Sequence, residues 1–318
     1  MDVLILGLSS IVQRRVRAAL QAVPAVQRVD LATRRAKTGV ASDWTEGTVF
    51  DDFRPALDRS TASLVYVSLV NSEHERWAEA AIASGRHVVV DKPAFLGLRT
   101  AERMLDLAAK KRVCLAEAIV YGYHPQMQRV HRIFAEAGCA PSRITATFSF
   151  PPLDESNFRY RRALGGGALW DVGPYAASIG RLIFRDAPTA VDCRILTRGG
   201  IDKVDTAFAV LATFSGGRSM VGLFGFNTVY RNRVDVLGEH VGVEIDRVFT
   251  TPPDSASPLR VTRPHGTSRE DGLVGDSFQA FFAHVCERID RGSWNDLTGA
   301  LAADARALQQ LRDSSGAD

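Results

Sequence analysis

The chain predicts an α/β domain on a doubly wound parallel sheet, followed by an α+β domain on one large, open, mostly antiparallel sheet. Three observations carry that prediction. From Met1 to Ala118, short apolar runs alternate with amphipathic stretches, the texture of successive βαβ units. Beyond Val120, long β-like runs follow one another with short turns between them. The apolar run His87-Val88-Val89-Val90 ends in Asp91-Lys92-Pro93. That presents a lysine at the carboxyl edge of a sheet, where open α/β sheets bind their ligands.

The elements follow in order. Residues 3–6 are the first strand, and residues 11–23 a helix with Val12, Val16, Ala19, Leu20 and Val23 at helical spacing. Residues 29–32 and 64–69 are strands; a helix over residues 73–84 is closed by Gly85 as its C-terminal glycine. Strand 87–90, helix 98–110 and strand 113–116 complete the first half. Residues 124–137 are helical, residues 144–150 alternate like a strand, and residues 167–184 return to helix. Strand-like runs cover residues 191–197, 205–214, 219–226, 233–238, 242–249 and 259–262, with Gly216-Gly217 as a hairpin turn. The tail over residues 276–312 is helical. The expected division is residues 1–120 and 121–318, with the last helix, near residues 298–312, packing back on the body.

Composition sets the class. A chain of 318 residues, 46% hydrophobic and 24% charged, reads as a soluble globular protein with room for two domains. A net charge of +3 gives no bulk attraction to nucleic acid. Cys114, Cys139, Cys193 and Cys286 form no CxxC pair, which argues against a zinc site and a disulfide framework and fits a reducing cytoplasm. The apolar start lacks a basic flank and follows Asp2, so it reads as a strand rather than a signal peptide. No apolar run approaches the roughly 18 residues needed to span a membrane. No metal and no membrane are expected.

Several segments carry chemistry. Gly7 can make the tight turn after the first strand, and Ser9, Ser10 and Ile11 lead into a helix whose free N–H groups suit a pyrophosphate. Ser9 and Val12 stand where a full G-x-G-x-x-G fingerprint has glycines. The second strand ends in Thr33-Arg34-Arg35. Two guanidinium groups and a hydroxyl suit a 2′-phosphate, favouring NADP(H) over NAD(H). Asp30 is near the count expected of an NAD acid but lies inside the strand. Pro93 keeps Lys92 extended, where its ammonium can hold charge beside a reacting oxygen. It can equally be a solvated strand-end lysine. Gly165-Gly166-Gly167 precedes a helix and permits close backbone approach to a ligand. Asp171 and Tyr175, four apart, share a helical face. Tyr175 beside a lysine can serve as general acid or base, or be a buried tyrosine. His74 reads as a first-turn helix residue or a catalyst. Arg159, Arg161 and Arg162 can bind a diphosphate or simply be a solvated loop.

These segments, in this order and separation, resemble the Gfo/Idh/MocA oxidoreductase family over nearly the whole chain. The resemblance rests on residues 7–12, 68–74, 85–93, 116–118 with 123–126, and 165–175. Asp91 stands where members usually carry glutamate before Lys-Pro. Tyr175 stands where inositol and related sugar dehydrogenases usually carry histidine. That tyrosine is similar to glucose–fructose oxidoreductase, dimeric dihydrodiol dehydrogenases and nucleotide-sugar 3-ketoreductases, and residues 11–15 and 117–126 look most like the ketoreductases. The resemblance implies a Rossmann-type cofactor domain and a substrate-binding, dimerising second domain. It implies Lys92 and Tyr175 as the catalytic pair, with Asp171 orienting the substrate or the pair. The implied cofactor residues are Gly7, Ser9, Ser10, Ile11, Thr33, Arg34, Arg35, Ser68, Leu69, Asn71, His74, Asp91, Lys92 and Glu117. Lys92, Arg159, Arg162, Asp171 and Tyr175 would face the substrate. The implied reaction is NADP(H)-dependent hydride transfer at a sugar carbon, chiefly reduction of a keto sugar or nucleotide sugar. An oxidative sugar, polyol or trans-dihydrodiol dehydrogenase is the alternative. A non-enzymatic NADP-binding regulator is the reading from another class, although such regulators lack the Lys92–Tyr175 constellation. A homodimer or homotetramer through the C-terminal sheet is expected.

Overall fold

A computed structural model of the chain describes residues 1–34 and 43–316, so Arg35 lies outside the described residues. The chain divides into two compact units, residues 1–118 with 278–302 and residues 119–277 with 303–318. Residues 278–302 thus fall with the first unit, unlike the expected linear division.

The first unit carries a six-stranded parallel sheet: β1 (Asp2–Leu6), β2 (Arg28–Ala32), β3 (Val49–Phe50), β4 (Leu64–Val67), β5 (His87–Val90) and β6 (Leu115–Glu117). Their order is β3-β2-β1-β4-β5-β6, the doubly wound arrangement. Val3 to Leu6 and Leu64 to Val67 are fully buried, so these strands need apolar residues on both faces. Gly85, at φ +80°, ends the helix His74–Ala83 as predicted. The helix Ser277–Asp290 belongs here because its aromatic face has partners in this unit. Phe282 meets the Tyr66 ring edge-on at 5.5 Å, and the Arg15 guanidinium lies over Phe278. β3 and the helix Phe53–Arg59 were not legible, because both are shorter than the window in which periodicity shows.

The second unit carries eight strands: β7 (Pro141–Ser149), β8 (Ala190–Gly199), β9 (Val204–Phe214), β10 (Arg218–Gly225), β11 (Arg231–Gly238), β12 (Gly242–Asp246), β13 (Leu259–Arg263) and β14 (Gly266–Glu270). Their order is β14-β13-β12-β11-β7-β10-β9-β8, antiparallel except for β7 beside β10. Gly216 and Gly217, both at φ +69°, make the predicted turn between β9 and β10. β14 is an edge strand of sequence Gly-Thr-Ser-Arg-Glu and has no apolar alternation to reveal it. One face of this sheet is covered by the helix Gly173–Phe184, where Phe184 meets Phe214 at 4.9 Å and Gly180 leaves room for that ring. Arg181 of this helix forms two hydrogen bonds to Asp304, at 2.7 and 2.5 Å. Burial pushes the Asp304 carboxyl up, and the Arg181 guanidinium opposes it.

The segment expected as one helix over residues 167–184 is two, Ala168–Asp171 and Gly173–Phe184, separated at Val172 (φ −114°, ψ −9°). Asp171 and Tyr175 therefore do not share one continuous helical face. Among the described residues no helix is long and apolar enough to cross a membrane.

Asp30 sits in the middle of β2, paired in register with Leu4, and is 2% exposed. Its carboxylate accepts from the Ser60 hydroxyl at 2.7 Å, the Thr48 amide at 2.8 Å and the Arg28 guanidinium at 2.8 Å. Burial raises its pKa, but these donors outweigh burial and leave it below the usual carboxylate value of 3.8. A depressed carboxyl contributes stability that is present above the unfolded-state pKa and lost as pH falls through the folded-state pKa. Asp30→Asn should therefore cost about 1.5–3 kcal/mol at neutral pH, the range for hydrogen bonds to a charged group. Urea unfolding of the two proteins should converge as pH falls below 3.8. A constant difference down to acid would show that the charge is not what stabilises this loop.

Candidate active site

The parallel register sets the first half of the site. Leu6 pairs with Ala32 and with Val67, Val67 with Val90, and Val90 with Glu117. The residues that follow β1, β2, β4 and β5 (Gly7, Thr33, Ser68 and Asp91) therefore come out level at the carboxyl edge. Gly7 takes φ +105°, and a Cβ there would lie 2.2 Å from the Ser68 carbonyl oxygen. Only glycine fits. Ser9 reaches across this row, its hydroxyl 2.8 Å from the Ser68 hydroxyl, and also accepts from the Val12 amide at 3.2 Å. Ser10 is exposed and Ile11 half-buried at the helix entry.

At the end of β2, Thr33 is buried with its amide on the Phe50 carbonyl at 2.9–3.0 Å-type geometry, measured at 3.0 Å. Arg34 is exposed, lies over the Phe53 ring at 5.0 Å, and pairs with Asp52 at 3.1 Å. Asp52 also accepts from the Phe53 amide, and that bond followed by Arg34 holds its carboxyl low. An exposed ion pair of this kind is weak, so the guanidinium remains usable by a phosphate. These residues fit an NADP-type cofactor. A glycine-only turn follows β1, a cation stands beyond β2, and Asp30 is locked inside its strand.

Beyond β4 and β5 the polar groups are bound to one another. Ser68 donates to Asp91 at 2.9 Å, and the Lys92 amide donates to Asp91 at 3.3 Å. Lys92 is half-buried, and the Lys92–Pro93 peptide bond is cis. Asn71 is buried at 8% exposure and Leu69 is half-buried. His74 is 1% exposed, with Nδ1 2.9 Å from the Pro93 carbonyl oxygen and Nε2 3.1 Å from the Leu69 carbonyl oxygen. Burial pulls the His74 pKa down, while the Asp91 carboxylate and the carbonyl oxygens push it up. Glu117 accepts from the Ala94 amide at 2.8 Å.

The second unit holds the remaining expected residues. Tyr175 stands in the first turn of Gly173–Phe184, its amide on the Val172 carbonyl at 3.1 Å. Its half-exposed ring is packed by Phe249 at 5.1 Å, Phe148 at 5.2 Å and Tyr121 at 5.8 Å. This aromatic cage was missed in the sequence, where its members lie far apart in unrelated elements. Tyr121 is itself fixed by a 2.8 Å hydrogen bond to Ser178. Asp171 is 7% exposed and pairs with Arg159 at 2.8 Å. Arg162 is exposed, with its backbone amide on Asp202 at 2.8 Å.

The glycine run has a packing reason. A Cβ on Gly166 would lie 2.5 Å from the Arg159 carbonyl oxygen, and one on Gly167 2.5 Å from Asp205. These two glycines let the 159–167 loop close on itself and on Asp205, which caps the next helix by accepting from the Leu169 amide at 2.6 Å. The backbone approach is thus to protein, not to a ligand as expected. His124, the fallback proton donor alongside His74, is fully buried and accepts from the Gln126 amide at 3.2 Å as a helix cap. Among the described residues no group of three or more His, Cys, Asp or Glu side chains is arranged to hold a metal ion.

Comparison with known proteins agrees with this arrangement. Residues 1–119 match the oxidoreductase-family model of the NAD-binding Rossmann fold, and residues 137–244 match the GFO/IDH/MocA C-terminal domain. The chain is 27% identical over 317 residues to the dTDP-3,4-didehydro-2,6-dideoxy-α-D-glucose 3-reductase of Streptomyces violaceoruber, covering 95% of this chain and 90% of that one. It is 31% identical over 258 residues to the Streptomyces antibioticus protein of the same name, covering 80% and 77%. In fold it is similar to KijD10, a 3-ketoreductase from Actinomadura kijaniata solved with NADP and TDP-benzene. The TM-score is 0.91 at 24% identity, covering 99% of this chain and 98% of that one. With both domain models matched in order and close identity along most of its length, the chain belongs to the Gfo/Idh/MocA oxidoreductase family.

Proposed function

We propose that the protein reduces the carbonyl of a keto sugar, carried as a nucleotide sugar, with NADPH. The observation that carries this reading is the pairing of family chemistry with two residues. Lys92 directly follows β5, and Tyr175 opens a helix inside an aromatic cage. The similarity to proteins named 3-reductases supports the substrate class. When bound, NADPH supplies the hydride to the carbonyl carbon. Tyr175 donates its phenolic proton to the carbonyl oxygen, and the Lys92 ammonium stabilises the alkoxide as it forms. The same residues serve an oxidation in reverse, so an oxidative sugar, polyol or trans-dihydrodiol dehydrogenase remains the second outcome of a substrate panel. Asp171, neutralised by Arg159, acts with it to orient the substrate. Arg162, exposed on the same loop, is the better candidate for a diphosphate.

Two further assignments support the setting. Leu211, Val221 and Leu223 are 44%, 45% and 53% exposed on the outward face of the eight-stranded sheet, and Val221 pairs with Leu211 in register. A contiguous apolar patch on an open sheet favours a homo-oligomer through that face. Cys114, Cys139, Cys193 and Cys286 are unbridged, in keeping with a cytoplasmic enzyme.

Three measurements test these readings. Arg34→Ala combined with Arg35→Ala should weaken NADPH binding by about 1–3 kcal/mol and leave NADH binding nearly unchanged in calorimetric titration. Equal affinity of the unmodified protein for both cofactors would count against the arginine reading. Lys92→Ala and Tyr175→Phe should each lower kcat by about 10²–10⁴ with NADPH binding retained. Their combined loss should be smaller than the product of the single losses. Full activity of Tyr175→Phe on the true substrate would remove it as proton donor, and absence of turnover across keto sugars and polyols would favour a regulator. Leu223→Asp should shift the protein to a smaller species in light-scattering chromatography; an unchanged mass would put the interface elsewhere.

A further inference from the structure

His74 contacts two backbone carbonyls with its two ring nitrogens, at 2.9 Å from Pro93 and 3.1 Å from Leu69. A neutral imidazole has one N–H donor and one lone pair. In that form one of the two carbonyl oxygens would face a lone pair at hydrogen-bonding distance, in a site 1% exposed where no bulk water intervenes. Only the imidazolium donates to both. A buried cation needs a counter-charge, and the Asp91 carboxylate supplies it. Asp91 is in turn held by the Ser68 hydroxyl at 2.9 Å, and the buried Tyr66 hydroxyl on β4 also faces it.

This arrangement brackets Lys92. On its N-terminal side, Asp91 is tied through Ser68 to Ser9, in the loop after β1. On its C-terminal side, the Pro93 carbonyl is tied to His74 and the Ala94 amide to Glu117. The lysine backbone is thus clamped from three neighbouring strands' ends while its side chain extends beyond them. We infer that His74 is an imidazolium paired with Asp91, and that this buried pair positions Lys92 instead of binding cofactor. The positioning half of the inference rests on the reading that Lys92 acts on the substrate oxygen; the charge half does not. His74 is therefore a positioning residue, and Ser68, Asp91 and Glu117 belong to the same clamp.

The charge is tested on the unmodified protein with ¹⁵N-labelled histidine. NMR should find both His74 ring nitrogens protonated at a pH about one unit above the ordinary histidine value of roughly 6.5, with His74→Gln identifying the signal. In Asp91→Asn the same ring should lose one proton under those conditions. A single-proton tautomer in the unmodified protein overturns the ion pair. For positioning, His74→Gln should lower kcat about 10²-fold, the scale of a displaced reacting group, while NADPH affinity and the KM for the sugar are unchanged. Combined with Lys92→Ala, it should cost nothing further. A loss of NADPH affinity matching the loss in kcat makes His74 a cofactor residue and overturns positioning. So does an undiminished His74→Gln effect in the Lys92→Ala protein. If Lys92→Ala alone is fully active, the reading of Lys92 fails, and the NMR result still decides the charge. Should His74→Gln not fold, Asp91→Asn identifies the signal by its lost proton, and the unmodified protein decides the pair.

Discussion

The register of the parallel sheet is the constraint on which the first unit's chemistry depends. Because Leu6, Ala32, Val67 and Val90 are level, Gly7, Thr33, Ser68 and Asp91 emerge side by side. A shift by one residue would turn each of these side chains to the opposite face. The hydroxyl–hydroxyl–carboxylate chain from Ser9 through Ser68 to Asp91 then crosses three strand ends at 2.8 and 2.9 Å. Such a chain is stabilising only when every member is satisfied, and it rigidifies what it joins. The glycine at position 7 is part of the same constraint, since the Ser68 carbonyl occupies the space a Cβ would need.

The second unit fixes its tyrosine by different means. Three aromatic rings surround Tyr175, and edge-on aromatic pairs contribute about 0.5–1.5 kcal/mol each beyond burial. Phe148 comes from β7, Phe249 from the segment after β12, and Tyr121 from the turn Val120–Tyr123. The hydroxyl end of Tyr175 stays half-exposed while the ring is held. The Arg159–Asp171 pair performs a related service one turn earlier, since an unpaired carboxylate at 7% exposure would be costly. Gly166 and Gly167 make that pairing possible by letting the loop fold onto its own carbonyls.

Both units therefore hold a polar head on a rigid support: an ammonium on a clamped backbone, and a phenol on a caged ring. Preorganised groups need little rearrangement as charge develops, which is the physical advantage of such supports. The cofactor end follows the same economy of motion. Arg34 rests on Phe53 and is paired only with an exposed carboxylate, so exchanging Asp52 for a phosphate requires little desolvation.

Much of the fold was legible because it rests on local regularities. Apolar runs alternating with amphipathic segments specify a parallel sheet, and Gly85 and the Gly216-Gly217 turn sit where positive φ is required. Lys92, Tyr175 and the arginine after β2 were also readable, since each depends on a short motif at an element's end. What tertiary structure decided were the pairings between distant residues. Asp30 became a strand anchor because Ser60 and Thr48 converge on it. His74 became a buried bridge because the loops after β4 and β5 close around it. Asp171 met Arg159, and the helix broke at Val172, where local spacing had predicted a continuous face. Periodicity reports which face of an element is buried; which polar atom meets which across the fold depends on register and loop closure, and these exist only once the chain is packed.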